Sequence, residues 1–233
     1  MNTKQTDFSF EEALNYIDYL ASQLNDDSLS IACDTLTKED ISPKKVKLVH
    51  CTVMVVKLNN QGLKDGNLKE YVFHTTINLI LSIIRSTKTL RHLDVQADGG
   101  LMAMFDTPMK KEIEEVINLA ARVRSVNDVV LRKYRLILSS QVVSVGMDYG
   151  DVICYNSDDP IEDLFFAGEG ITTAKKLSEE KDDCVIISNG IYINLSKEIQ
   201  TKLFANQGDI YGEKYYYSPL INIKMQKWVV ENQ

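Results

Sequence analysis

Residues 46–58 limit the possible folds more than any other stretch, because they form a valine-rich apolar run with no helical period. Such a run predicts a strand that is buried in the middle of a sheet. Turn-forming residues follow it at 59–62 and 65–66 and separate it from the next element. The rest of the chain must supply the strands and helices that cover this strand.

The segments after this strand alternate between strand and helix patterns. In order, the predicted elements are a helix (67–85), a hairpin (93–97 and 101–105), a long helix opening at 107–108, a strand (136–145) that ends at 146–150, an antiparallel return (151–155), a short strand (164–167), a helix beginning at 168–170, a strand (184–188) and a C-terminal strand pair within 211–223 around Pro219. This order predicts an α+β domain with a ferredoxin-like core, in which helices cover one face of an antiparallel sheet.

The N-terminal residues predict a helical arm followed by a connection. Ser9 and Glu12 form a capping box at the start of an amphipathic helix over 10–24. Residues 25–45 are polar and irregular, which is typical of a connection. We therefore divide the chain into an N-terminal helix with its connection (1–45) and a main domain (46–233).

Charge and hydropathy exclude several kinds of partner. The formal net charge is -7 and the pI is about 5.1, so the chain should repel nucleic acid. No apolar run approaches the roughly 18 residues that a membrane span needs, and the N-terminus lacks the apolar stretch of a signal peptide. We expect a cytoplasmic protein that has no membrane span and binds no nucleic acid.

Three motifs occur in an order that resembles class III nucleotide cyclases. Residues 97–105 (ADGGLMAMF) are similar to the Gly-Asp hairpin of that family, and residues 145–150 (VGMDYG) to its Gly-Ile-x-x-Gly strand end. Residues 168–177 (GEGITTAKKL) resemble its Gly-Asp-x-Val-Asn-x-Ala-x-Arg-Leu helix start. The resemblance implies the class III cyclase fold for the main domain.

Further segments resemble a narrower group, the pyrimidine cyclases of bacterial Pycsar antiphage systems. They are residues 8–11 (FSFE), 51–52 (CT), 105–108 (FDTP), 216–223 (YYSPLINI) and 228–232 (WVVEN). The resemblance implies a homodimer that converts UTP or CTP to the 3′,5′-cyclic nucleotide (cyclic UMP or cyclic CMP). In that family, the product activates a separate antiviral effector.

The resemblance also locates the two aspartates that hold Mg²⁺ or Mn²⁺ in the family, and neither is present here. The first position falls on Lys57, which is either an exposed strand-end lysine or a cation near a triphosphate. The second falls on Gly99, one residue after Asp98. Asp98 is either a turn residue or, through a bulge, a carboxylate facing the site. We therefore predict a degenerate metal site with nucleotide contacts from Lys57 and Asp98.

Other family positions map to the segment 165–176. The transition-state asparagine and arginine correspond to Thr172 and Lys176, which we treat as candidate catalytic residues. The base-contacting strand corresponds to Phe165 and Phe166, one of which should face the core and the other the ligand or a dimer interface. Neither offers a polar contact to a purine, which agrees with a pyrimidine ligand or with no ligand.

Three functions remain open at this stage. The chain is a nucleotide-binding or regulatory pseudoenzyme of the cyclase family, or an active lyase with rearranged carboxylates such as Asp94, Asp98 and Glu169, or a non-catalytic dimerising module. The partners we expect are a nucleoside triphosphate, more readily pyrimidine than purine, and a second chain in a homodimer or a heterodimer with a related cyclase. Mg²⁺ or Mn²⁺ is expected only for the active form.

Overall fold

The computed structural model describes residues 30–31, 46–59, 66–96, 99–133, 142–156 and 164–231 of the 233-residue chain. The predicted N-terminal helix (10–24) and Asp98 lie outside these ranges, so both stay predictions. Within these ranges, no helix combines the length and the apolar character needed to cross a membrane.

The described residues form nine strands and six helices. They are β1 (Ser30–Ile31), β2 (Val46–Asn59), α1 (Gly66–Arg85), β3 (Leu90–Val95), β4 (Leu101–Phe105), α2 (Lys110–Lys133), β5 (Val142–Tyr155), β6 (Phe165–Ala167), α3 (Glu169–Glu180), β7 (Val185–Ser188), α4 (Asn189–Asn194), α5 (Lys197–Leu203), β8 (Asn206–Ile210), β9 (Glu213–Ser218) and α6 (Ile223–Glu231). The order predicted between residues 46 and 188 is present, with 142–155 as one strand, whereas the strand at 30–31 and the helices at 189–194, 197–203 and 223–231 were not predicted.

The sheet has the strand order β3-β4-β2-β5-β7-β9-β8, with β1 paired to β2 and β6 paired to β5. Within the series β3-β4-β2-β5, each strand is antiparallel to the next, and α1 and α2 connect these four strands in the ferredoxin-like manner. The predicted α+β core is thus confirmed, and residues 46–58 do form its central strand.

Helices cover both faces of this sheet, whereas the sequence predicted cover on one face. Alternate residues of β2 point to opposite faces, so Met54 and Val56 pack in one cluster with residues of α1 and α2. Val53 and Val55 pack in a second cluster, which includes Ala174 of α3. The prediction was wrong for α3 because its apolar face fits the side of the sheet opposite the two long helices.

The sheet is also mixed rather than wholly antiparallel, because β5 and β7 run parallel. Parallel neighbours need a crossover connection, and α3 provides it. This helix lies directly on β5 at Gly146, where a Cβ atom would overlap the carbonyl oxygen of Ala174 and the amide nitrogen of Ser178. Gly146 therefore serves close packing, and the predicted strand end at this motif does not occur.

Two predicted turns are corrected by the pairing. Strand β5 continues through 146–150 without a break, because it stays in register with β2 from Val142 to Tyr155. The C-terminal strand pair turns at Tyr211 and Gly212, not around Pro219. Residues 219–222, which include Pro219, instead connect β9 to α6. The short helices α4 and α5 lack a clear periodic signal in the sequence.

Candidate functional site

A cavity of about 480 Å³ opens between α3, the middle of β5, the end of β7 and the β8–β9 hairpin. We call it the α3 cavity. Its lining is polar and aromatic rather than purely apolar. The residues used below are His50, Asp148, Tyr149, Asp151, Glu169, Thr173, Lys176, Ser188, Tyr211, Glu213 and Lys214.

The floor of the α3 cavity is formed by Asp148, which is only 9% exposed. Burial raises the pKa of this carboxyl above its ordinary value, and the charge of Glu169 raises it further. A hydrogen bond from the Ser188 side chain opposes that shift by lowering the pKa. The floor thus offers carboxylate oxygens that can accept hydrogen bonds from a ligand hydroxyl or N–H group.

One wall of the α3 cavity carries an ion pair between strands β2 and β5. His50 Nδ1 lies 2.8 Å from Asp151 Oδ1, and both side chains are more than half exposed. The edge of the His50 ring also contacts Tyr149, with ring centroids 4.4 Å apart. The pair orients the imidazole toward the opening, although an exposed pair of this kind adds little stability.

The rim of the α3 cavity carries its cationic side chains. Lys176 extends from α3, with Nζ 5.6 Å from the centroid of the Tyr211 ring, and Lys214 lies just after the hairpin turn. Thr172 is exposed, and its Oγ1 donates to the Gly168 carbonyl at 3.1 Å. Of the two predicted catalytic positions, Lys176 therefore lines the cavity, whereas Thr172 does not and Thr173 does.

The two positions that the resemblance assigns to metal ligands lie together outside the α3 cavity, in a region we call the hairpin end. It comprises Lys57, Phe73, Gly99 and Gly100. Val56 pairs with Leu101, which puts Lys57 beside Gly100. Gly99 has a φ of +81°, and a Cβ atom there would overlap the Phe73 ring. The position that would carry an aspartate in the family is thus packed beneath an aromatic side chain.

The hairpin end does not fit a Mg²⁺ or Mn²⁺ ion. These ions need carboxylate oxygens, whereas Lys57 presents an ammonium group and Gly99 presents no side chain. Among the described residues, no three His, Cys, Asp or Glu side chains cluster so that they could hold a metal ion. Asp98 lies outside those residues, so its predicted nucleotide contact stays a prediction.

None of the four residues of the hairpin end lines the α3 cavity. Lys57 and His50 belong to the same strand, and the length of chain between them spans about 23 Å at the usual rise of about 3.3 Å per residue. Lys57 is therefore remote from the wall of the α3 cavity that carries His50.

Phe165 and Phe166 alternate across β6, as the sequence predicts. Phe166 packs against the cluster that contains Val53 and Val55, and its ring centroid lies 4.1 Å from that of His92. Phe165 is 46% exposed. Neither side chain lines the α3 cavity.

Sequence reasoning missed several residues of the α3 cavity. Asp148 carries the one signal that was available, since it is a charged residue in an otherwise apolar strand segment. Tyr211 and Gly212 form the two-residue hairpin turn, but the first residue has none of the usual turn chemistry. No sequence motif marks His50, because its pairing with Asp151 depends on the register of β2 and β5.

The sequence matches no family model and no curated protein. Solved structures do match it. The adenylyl cyclase CyaB from P. aeruginosa is 15% identical with a TM-score of 0.61, over 75% of this chain and 95% of that chain. The guanylyl cyclase Cya2 is 12% identical with a TM-score of 0.59, over 78% of this chain and 96% of that chain.

A third match is a class III adenylyl cyclase-like ATP-binding protein from Pseudomonas aeruginosa. It is 14% identical with a TM-score of 0.57, over 84% of this chain and 43% of that chain. At such identities, the likeness establishes the fold alone. The main domain therefore has the fold of class III nucleotide cyclase domains, as the three sequence motifs predicted.

Proposed function

We propose that this chain is a nucleotide-binding homologue of class III cyclases that does not cyclise its ligand by itself. The observation that carries the proposal is the hairpin end, where Lys57 and the packed Gly99 occupy the family's two metal positions. Cyclisation is a phosphoryl transfer whose developing charge is normally neutralised by two metal ions. When bound, those ions supply Lewis acidity that an ammonium group does not replace.

The α3 cavity supports nucleotide binding. Its volume of about 480 Å³ falls in the usual range for small-molecule sites. Lys176 and Lys214 at the rim are placed to bind phosphate oxygens, while the buried Asp148 is placed to accept hydrogen bonds from a hydroxyl or base N–H group. The cyclase-like ATP-binding protein among the structural matches is a precedent for binding on this fold.

The proposal also covers the base of the bound nucleotide and the biological role of the protein. The resemblance of five segments to the Pycsar enzymes supports a pyrimidine nucleotide, UTP or CTP, and a role in antiphage signalling. In this setting, the chain acts as a regulatory pseudoenzyme.

Dimerisation is the second part of the proposal. Lys57 does not line the α3 cavity of its own chain, and in a homodimer or a heterodimer with a related cyclase the hairpin end of one chain would face the α3 cavity of another. Thr172, exposed beside Lys176, would face the same shared site. Light scattering with and without nucleotide tests this directly.

Calorimetry with UTP, CTP, ATP and GTP, each with Mn²⁺, tests the proposed binding, and mass spectrometry of the same samples tests turnover. We expect a pyrimidine nucleotide to bind and to be recovered unchanged. Binding of ATP or GTP alone would contradict the pyrimidine assignment. If none of the four binds, the non-catalytic dimerising module is the better description.

An active cyclase with rearranged ligands is the second candidate. It is favoured by Asp94, an exposed carboxylate that pairs with Met102 close to the hairpin end. Glu169 does not join it, because that side chain lines the α3 cavity. A cyclic product that the wild type forms and Asp98→Ala does not would establish this candidate. Unchanged turnover in Asp98→Ala would show that Asp98 is not one of the rearranged ligands.

A further inference from the structure

The tip of the β8–β9 hairpin holds an aromatic residue where the backbone disfavours one. Ile210 pairs with Glu213, so Tyr211 and Gly212 alone form the turn. Their φ angles are +54° and +88°, the left-handed values that a type I′ turn requires. Glycine, asparagine and aspartate meet this requirement easily, whereas a bulky side chain at the first position is uncommon.

The fold gains little from the Tyr211 ring. The side chain is 93% exposed, so it buries almost no apolar surface. The turn itself is held by the backbone amide of Gly212, which donates to Asp209 Oδ1 at 2.8 Å. A strained and exposed aromatic residue that is not needed for packing points to a role toward a ligand.

The surroundings of Tyr211 indicate which kind of ligand its ring would contact. The ring lines the α3 cavity, and Lys176 Nζ lies 5.6 Å from its centroid, near the outer limit of a cation–π contact. A flat ring that settled on Tyr211 would therefore have cationic groups beside it at Lys176 and Lys214, and carboxylate oxygens below it at Asp148.

We infer that Tyr211 is the stacking platform for the base of the bound nucleotide. The inference rests on the proposed nucleotide binding and adds which side chain holds the base. Stacking on an aromatic ring suits any base, because each has a π face. Lys176 and Lys214 would then hold phosphate oxygens, and Asp148 would accept hydrogen bonds from the sugar or base. This places the base at the hairpin tip rather than at Phe165 and Phe166.

Two substitutions at Tyr211 distinguish what the ring contributes to ligand binding from what the residue contributes to the turn. Tyr211→Asn removes the ring and keeps a residue that suits the left-handed conformation, so its melting temperature should equal or exceed that of the wild type. Tyr211→Phe keeps the ring. We expect Tyr211→Asn to weaken calorimetric binding of UTP or CTP by about 5- to 150-fold, and Tyr211→Phe to bind like the wild type.

Tripolyphosphate and Phe165→Ala are the matched controls. Tripolyphosphate has no base, so its affinity should be the same in the wild type and in Tyr211→Asn. Unchanged nucleotide affinity in Tyr211→Asn, or a loss that tripolyphosphate shares, would overturn the stacking role while leaving nucleotide binding intact. A loss of nucleotide affinity in Phe165→Ala without a loss in Tyr211→Asn would indicate that the base binds at β6. If the wild-type protein binds no nucleotide at all, the proposed function fails and the stacking role fails with it.

Discussion

The hairpin end and the α3 cavity share one sheet but have opposite characters. At the hairpin end, Gly99 is covered by the Phe73 ring, and Lys57 is the charged side chain beside it. At the α3 cavity, a buried carboxylate, exposed lysines and tyrosines surround open space. The first region is packed at the positions that the resemblance assigns to metal ligands, and the second is an open cavity.

This difference suggests that binding and turnover are separable in this fold. A binding site needs a cavity with a few well-placed polar groups. Phosphoryl transfer needs, in addition, charge neutralisation at the reacting atoms. In the proposed function, the α3 cavity supplies the binding site, and Lys57 and Gly99 at the hairpin end lack the carboxylates that would hold the metal ions.

The largest loss of stability should come from disturbing the packing of α3, the helix that lines the α3 cavity, against strand β5. In Gly146→Ala, the new methyl group would overlap backbone atoms of α3, which cannot rotate away. We expect the free energy of unfolding to fall by about 3 kcal/mol, measured by urea denaturation. Gly150→Ala is the matched control on the same strand, because its Cβ would lie 3.4 Å from Asp148 Oδ2, an ordinary contact. Equal losses in both variants would contradict the close packing of α3 on β5.

The next test restores the family's aspartate at the hairpin end. Gly99→Asp forces a Cβ atom against Phe73 at a left-handed φ, and should cost about 2 kcal/mol of stability. In a Phe73→Ala background, the same change should cost clearly less, because the obstructing ring is gone. Urea denaturation of the wild type, the two single variants and the double variant measures the coupling between positions 73 and 99. A cost that is the same in both backgrounds would show that Phe73 does not fill the position.

Nucleotide affinity compares the two regions directly. Lys176→Gln removes a cation from the rim of the α3 cavity, and should weaken UTP or CTP binding about 10-fold in calorimetry. Lys57→Gln makes the same chemical change at the hairpin end, and should leave the affinity of a single chain unchanged. If both variants lose affinity equally and light scattering shows a dimer, the two regions meet across the interface.

The smallest effect is a change in the pH dependence of stability. Burial raises the pKa of Asp148, so the folded protein holds this proton more tightly than the unfolded chain. The resulting stabilisation is complete below the unfolded pKa and is lost as the pH rises through the folded pKa. Asp148→Asn does not titrate, so its stability relative to the wild type should increase from about pH 3 to about pH 8. A difference that stays flat or decreases would contradict the burial of this carboxyl.

The fold could be predicted from the sequence wherever local patterns decide it. The valine-rich run gave β2, and the alternation at 93–105 with its glycines gave the β3–β4 hairpin. The pairing of β5 and the side of the sheet that α3 covers could not be predicted in this way. Both depend on contacts between distant segments, such as the close approach of α3 to Gly146.

The candidate site was predictable only in part, for the same reason. Lys176 was found because the resemblance covers its helix, and the structure places it at the cavity. Tyr211, His50 and Asp148 are brought to that cavity by the register of three strand pairs. No local motif marks residues that become neighbours only after the sheet has formed.

The most direct test of the account is equilibrium dialysis of the purified protein against UTP, CTP, ATP and GTP with Mn²⁺, followed by mass spectrometry of the retained nucleotide. The account predicts that a pyrimidine triphosphate is retained and recovered unchanged. A cyclic nucleotide in either chamber would contradict it, since that product would mean that the chain completes the phosphoryl transfer by itself.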